Sequence, residues 1–505
     1  MPISISSFST ENRGRVLLLF LLFLLAMYEF VTAGFSAFAI VCLLPFVVLF
    51  VYVAFSWRMV TFWTLIFVNY FIQLKDLRIP FPMSLADEML ELILLAVALI
   101  DVRQDNRFSR ASSTMLFAVM IWVGFCLIEV FNNSCDLGIN VGLWFTGFRL
   151  LALQLVWILL VFSVYISSPK ILMTYLKLWA ILSLFSAFWT YKQEFLGMTS
   201  AEKIWMETRG RTTHIINGGT LIRYFSTFSD AANYGCHAAG AAVAFIIFGI
   251  TNKLKRGKIF FLLAAAIVIW GMFQSGTRTA IFCLAAGMMV YIFLSKSVKI
   301  AVPFSILFGI IAFLLVFTTI GNGNQQIRRM RSAFNKEDAS ANVRDINQEA
   351  IKKYIRDIPW GIGLGMNASD VPANNKFKKL STIPPDSEYV YIWVHTGPIG
   401  ITTFVCCMAL MFLGACRIVL FKLKNKTVIG IGAAFCSSFV SIQLGGYANQ
   451  VLFQYPNGLT FFGGLAIVYI LPYLDAEYEE YEQMRLAQIA EKKRLRAEKM
   501  KKLIN

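Results

Sequence analysis

Three arginines stand where an ionisable side chain is hardest to accommodate. Arg149 lies inside an apolar run, Arg223 just precedes a helix opening Phe225-Ser226-Thr227-Phe228-Ser229-Asp230-Ala231-Ala232-Asn233, and Arg278 sits in Ser275-Gly276-Thr277-Arg278-Thr279-Ala280. Such a group in or beside a membrane span is costly unless it faces water or a partner. A guanidinium offers phosphate oxygens a planar fork of donors and keeps its proton, so three of them converging at one level suit a diphosphate headgroup. The competing reading is that Arg223 and Arg278 snorkel to lipid headgroups from helix ends. Ser226, Thr227, Ser229, Asp230 and Asn233 are also costly in an apolar span, which points Asp230 and Asn233 into a wet cavity in the bundle. N-capping by Ser229 or Asp230 is compatible with that placement.

A second group lies at Pro384-Pro385-Asp386-Ser387-Glu388-Tyr389, at the start of a helix containing His395-Thr396-Gly397-Pro398-Ile399-Gly400. Carboxylates at a helix N-terminus satisfy its dipole and free amides, so capping by Asp386 is one reading. The other is that Asp386, or failing it Glu388, faces the arginines as general base toward an acceptor hydroxyl. His395 lies nine residues beyond Asp386, roughly 13 Å along a helix, too deep to share that site, and reads as a packed histidine. His214 and His237 have no metal-ligand spacing. The chain shows no nucleotide-binding glycine loop, HExxH or nucleophile elbow. Its nine cysteines are scattered without a CxxC pair and read as small apolar fillers, so no metal site and no cofactor is expected.

The elements that must position these groups are membrane helices. Of the 505 residues 58% are apolar and 15% charged, against about 45–50% and 25% in soluble domains. That excludes a soluble enzyme, a disordered chain and a disulfide-knit secreted domain. About fourteen apolar runs approach the roughly 20 residues that cross a bilayer, near 16–33, 36–55, 58–74, 84–101, 114–131, 144–167, 171–190, 226–250, 258–274, 277–295, 299–319, 388–419, 427–452 and 458–474. The fold class is therefore all-α, a polytopic transmembrane bundle of about 12–14 spans. Lys plus Arg exceed Asp plus Glu by 46 − 29 = 17. The surplus concentrates in loops 101–110, 251–258, 295–299 and 417–426, as the retention of basic loops in the cytoplasm requires, and does not signal a nucleic-acid surface. The first helix reads as retained, both termini as cytoplasmic, and the three arginines as level on the outer side.

Two outer segments, 191–225 and 321–387, are long enough to be structured. Within the second, residues 342–359 set Ile346, Ala350, Ile351, Tyr354, Ile355 and Ile358 on one face, an amphipathic helix lying on the membrane or the bundle. It stops at Pro359, where Gly361, Gly363 and Gly365 predict an irregular turn. The expected organisation is N-terminal helices over 1–143, a core over 144–420 that includes the outer loop 321–387, C-terminal helices over 421–474, and a solvated charged helical tail over 475–505.

The order of these features resembles the O-antigen ligase and polymerase superfamily of bacterial membrane glycosyltransferases. The likeness runs from Arg223 to Asn233, through Ser275 to Ala280, to a long loop with an Arg-bearing helix ending Pro359-Trp360-Gly361-Ile362-Gly363-Leu364-Gly365, and then to an acidic-polar pair eleven residues before Gly397. It covers roughly 144–420. The resemblance implies a multi-pass protein of the bacterial inner membrane that takes a glycan from undecaprenyl diphosphate to an acceptor hydroxyl on a glycan or lipid, without metal or nucleotide sugar. It maps the family's arginines onto Arg223 and Arg278. Ligases of the superfamily commonly carry His-Asn where this chain has Asp386-Ser387, which tilts the expectation toward a polysaccharide polymerase. The alternative of another class is a lipid-linked glycan flippase or other secondary transporter, which should show inverted repeats; the sequence contains none. Sugar, acceptor and oligomeric state are not readable from these residues.

Overall fold

The computed structural model describes residues 10–33, 46, 48–76, 83–101, 107–216, 221–295, 317–323, 325–332, 339–356, 358–367 and 369–504, with isolated positions between 303 and 314. The chain divides into two compact units, Met1–Thr64 and Leu65–Asn505. The first holds α1 (Thr10–Ala33) and α2 (Val48–Ser56), which meets α3 (Arg58–Phe71) at a bend of 114°. The second continues with α4 (Met83–Asp101), α5 (Thr114–Phe131), α6 (Val141–Tyr165) and α7 (Pro169–Leu196). There follow the short α8 (Ser200–Trp205) and α9 (Arg211–His214), and an antiparallel pair β1 (Ile215–Ile216) and β2 (Leu221–Ile222). Next come α10 (Ala231–Thr251), α11 (Lys255–Gln274), α12 (Arg278–Ser295), α13 (Gln325–Ser332), α14 (Ala339–Ile355), α15 (Lys378–Ser381), α16 (Glu388–Phe421), α17 (Lys426–Ala448) and α18 (Gly463–Ile504).

Nine helices among the described residues are long and apolar enough to cross a membrane, and the bent α2–α3 pair brings the number to ten. The protein is thus an all-α, multi-pass membrane bundle. The run expected at 84–101 forms α4 but carries Asp87, Glu88 and Glu91 and is not among the nine. The runs expected near 36–55 and 299–319 fall largely outside the described residues.

Small side chains let the central helices approach. Helix α10 packs on α11, α12 and α17, and α12 packs on α17. Its Gly235, Ala238, Ala239, Gly240, Ala241 and Ala242 are buried, the composition that brings membrane helices into close van der Waals contact. A methyl group at Gly235 would lie 2.3 Å from Ser275 Oγ, so the 275–277 turn that carries Arg278 seats directly on α10 at this glycine.

The long segment 321–387 has its own apolar core. Ile351, Ile355, Ile358, Ile362, Met366, Val371, Phe377 and Leu380 close over Val390 and Val394 of α16. The amphipathic face read from the sequence thus packs on protein at its C-terminal half, while Ile346 remains 65% exposed. The segment is mounted on a break in α16, where Gly397 takes φ 67° ahead of Pro398. There Ile362 N donates to Val394 O at 3.0 Å, Gly363 N to His395 O at 3.0 Å, and Ile399 N to Pro359 O at 3.4 Å. Gly361, at φ +71°, has the His395 carbonyl carbon 2.5 Å from where a Cβ would stand, so no larger residue fits this junction.

Candidate functional site

Arg223 follows β2 and is held by the backbone around it. Its amide donates to His214 O at 2.9 Å. The guanidinium donates from Nε to Ser275 O (3.2 Å), from Nη1 to Thr213 O (2.9 Å) and from Nη2 to Thr277 Oγ1 (3.0 Å). Three of its five N–H groups are used, leaving one on each terminal nitrogen. Burial pulls this group below the ordinary arginine range. Asp230 opposes that pull, while Arg278 and Arg344 add to it. Arg223, Arg278 and Arg344 therefore share one electrostatic neighbourhood with Asp230. Arg278 donates from Nη1 to Ser332 Oγ at 3.2 Å, and Arg329 donates from Nε to Gly276 O at 2.6 Å. Gly276 (φ +57°) is bracketed by Arg223 and Arg329, whose Cγ and Cδ would lie 3.1 Å and 3.3 Å from a Cβ there.

Helix α14 joins this cluster to Asp386. Arg344 and Asn347 are three residues apart on it, neighbours about 4.5 Å along the axis, and Asn347 Nδ2 donates to Asp386 Oδ2 at 3.1 Å. The N-cap of α16 is Ser387, which accepts from Val390 N at 3.1 Å. Capping by Asp386, one of the two readings of the sequence, is not what the backbone shows, and the Asp386 carboxylate is directed to α14. Glu388 is 5% exposed and accepts from Leu452 N at 3.1 Å, so its carboxylate grips the 449–457 segment between α17 and α18. That segment also reaches Pro385 O through Gln450 Nε2 (2.6 Å) and Thr279 Oγ1 through Asn449 Nδ2 (3.5 Å). It thereby ties the neighbourhood of Asp386 to the residue after Arg278.

The polar opening of α10 is answered by protein partners. Asp230 caps the helix, accepting from Ala232 N and Asn233 N at 2.8 Å and 2.9 Å. Asn233 is fully buried; it donates to Ser229 Oγ and Tyr455 O, each at 2.9 Å, and accepts from Asn457. Ser226 donates to Ser186 O at 2.7 Å. His214 Nε2 accepts from Ala231 N at 3.0 Å, so its proton is on Nδ1, facing Thr213 Oγ1 at 2.7 Å. Burial and then the Arg223 charge push this imidazole down to about 4, which keeps it neutral and accepting. Lys75 donates to Ser229 O at 2.8 Å over the Trp205 ring, and burial lowers its ammonium to about 8.

Arg149 is directed elsewhere. Its Nη1 lies 3.1 Å from Glu88 Oε2, on a π-turn spanning Arg149–Leu153. His395 packs as its depth suggested, its ring nitrogens 2.8 Å and 2.9 Å from Tyr391 O and Met366 O. Among the described residues no three His, Cys, Asp or Glu side chains are arranged together as ligands of a metal ion. Sequence reasoning passed over Arg344 and Arg329. The sequence marked α14 as an amphipathic, Arg-bearing helix without naming which arginine; Arg344 and Asn347, at helical spacing above the buried apolar stripe, are the residues that the structure turns toward Arg223 and Asp386.

Residues 263–405 match the family model described as O-antigen ligase. No curated protein matches the chain. The match covers 143 of the 505 residues and agrees, over that stretch, with the resemblance to the O-antigen ligase and polymerase superfamily carried by the motifs. It runs from α11 into α16 and so takes in Arg278, Arg329, Arg344, Asp386 and Glu388, with Arg223 and the 449–457 segment supplied from outside it.

Proposed function

We propose that the protein transfers or polymerises glycan from an undecaprenyl-diphosphate carrier onto an acceptor hydroxyl at the outer face of the bacterial inner membrane, with polymerisation favoured over ligation. The observation that carries this reading is the gathering of guanidinium groups at the Gly276 turn, where Arg223 bonds Ser275 O and Thr277 Oγ1, Arg329 bonds Gly276 O and Arg278 follows two residues on, with Asp386 held by Asn347 of α14, three residues from Arg344.

In the proposed step the acceptor O–H gives its proton to Asp386 as its oxygen attacks the anomeric carbon. The bond from that carbon to the diphosphate breaks, and the departing oxygens leave with the electron pair, met by fixed guanidinium charge. Direct attack of this kind inverts the anomeric centre. Glu388, the second candidate base in the sequence, is assigned to holding Leu452. Arg149, expected among the phosphate ligands, is committed to Glu88, and Arg344 takes its place, with Arg329 edging the same turn. Asp230 and Asn233 cap and anchor α10 beneath Arg223.

The test is purified protein given a lipid-diphosphate-linked glycan. Release of free lipid diphosphate together with a longer or transferred glycan supports the reading. Movement of the glycan across the bilayer without bond change assigns the chain to transport instead. Among products, extension of carrier-linked repeats marks a polymerase, and appearance of glycan on a separate lipid acceptor marks a ligase.

A further inference from the structure

The first turns of α4 bury three carboxylates that the proposed reaction does not use. Asp87 and Glu91 are fully buried and Glu88 is 5% exposed. Of the three, Glu88 meets Arg149, while Asp87 has both oxygens 3.0 Å from the Asn69 amide nitrogen of α3. Asp87 and Glu91, four residues apart, are neighbours on one helix face. Around them the open lone pairs accumulate. Both oxygens of Glu91, the Asn69 Oδ1 and the Tyr455 phenol oxygen are buried without a hydrogen-bond partner. Asn69 is 1% and Tyr455 9% exposed. The Tyr455 phenol comes from the 449–457 segment and lies within electrostatic reach of Asp87, Glu88, Glu91 and Arg149 together.

Fully ionised, this cluster would set three negative charges against the one guanidinium of Arg149. Buried carboxylates do not persist unpaired; they take up positive charge. The donors left open are all oxygens, which is the chemistry of a hard cation or a proton. The charged and titratable groups facing the cluster are Asp87, Glu88 and Glu91 from α4, Arg149 from the π-turn and Tyr455 from the 449–457 segment.

We propose that Asn69, Asp87, Glu91 and Tyr455 form a buried site for one small monovalent cation, a proton or a sodium ion. Its occupancy reaches the transferase site through one segment. The backbone oxygen of Tyr455 accepts from Asn233 at 2.9 Å, and the same segment grips Glu388 through Leu452 and Pro385 through Gln450. Loading the site draws Tyr455 toward α4 and thereby sets the stretch that carries Asp386. The binding claim stands on these buried residues and does not require the transferase reading.

The test uses the full chain in detergent without any glycan, so its outcome is separate from that of the activity assay. In one arm sodium chloride replaces choline chloride at constant ionic strength. A melting temperature that rises with sodium in the wild type, and ceases to do so in Glu91→Gln, assigns a sodium ion. In the other arm infrared difference spectra follow the protonated-carboxyl stretch. A band insensitive to sodium, shifted in heavy water and diminished in Glu91→Gln, assigns a proton; Asp87→Asn serves as second variant should the first fail to fold. A wild type with neither sodium-dependent melting nor such a band overturns the proposal. So does a sodium effect or a band that both variants leave undiminished.

Discussion

Replacing Arg223 by lysine separates the charge of the side chain from its geometry. Ser275 O, Thr213 O and Thr277 Oγ1 occupy three of its five N–H groups, so one on each terminal nitrogen is left to grip a departing diphosphate. Two charge-assisted hydrogen bonds at about 1.5–3 kcal/mol each amount to about 3–6 kcal/mol, or roughly 10²–10⁴-fold in rate. Arg223→Ala is therefore expected to lower kcat by about that range. Lysine keeps the charge but concentrates its donors on a single nitrogen at the end of a different stem. It cannot hold the three protein oxygens and present a fork at once, so Arg223→Lys should fall between alanine and wild type, at about a tenfold to hundredfold loss. The assay is steady-state release of lipid diphosphate by purified protein at saturating carrier, with a monodisperse elution profile as the control for folding. Wild-type kcat in Arg223→Lys would refute the geometric argument, and wild-type kcat in Arg223→Ala would refute the leaving-group role altogether.

Further outcomes follow from the same contacts. Asp386→Asn should reduce transfer by about 10²–10⁴-fold, the usual worth of a positioned base, whereas Asn347→Ala, which removes one hydrogen bond to that carboxylate, should cost about tenfold with melting temperature unchanged. Asp230→Ala removes the cap of α10 and is expected to lower stability by about 1 kcal/mol, while Asp230→Asn, also a good cap, should not; thermal melts in detergent decide this. His214 is held neutral in the folded protein, pushed down to about 4 from the ordinary 6.5. The unfolded chain binds its proton first, so its contribution to stability is present above about pH 6.5 and is lost as pH falls toward 4. His214→Gln should flatten the melting-temperature profile across that window. Gly361→Ala places a methyl group 2.5 Å from the His395 carbonyl carbon at φ +71°; limited proteolysis should then cleave the 321–387 segment at protease levels the wild type resists.

The membrane class and most spans were legible because a span is written in composition: twenty apolar residues leave one stable solution in lipid. Arg223 and Arg278 drew attention for the same reason, since charge beside such runs needs a cause, and the structure brings both to the Gly276 turn. What the sequence withheld was pairing. Nothing in the run holding Arg149 tells that Glu88, sixty-one positions earlier, will meet it. Glu388 and Asp386 are two residues apart, yet one turns inward to Leu452 and the other outward to Asn347, a choice made by the Ser387 cap. The polarity of Asn233 announced a burial problem but not its solution, which comes from Asn457 and the Tyr455 carbonyl more than two hundred residues away. The helix of Arg344 stood out as Arg-bearing, but which of its charges turns toward Arg223 was not readable, because charges on the far side of an amphipathic helix ordinarily point to solvent.

The seat of the 321–387 segment on α16 is made by peptide groups: two amides reach carbonyls exposed where the helix breaks, and one amide returns. Such a joint is indifferent to side chains apart from the glycines that permit it. The side chains above it can accordingly be exchanged one by one while the anchorage beneath stays constant. A joint of this kind separates the identity of the side chains a segment carries from the attachment that holds it in place.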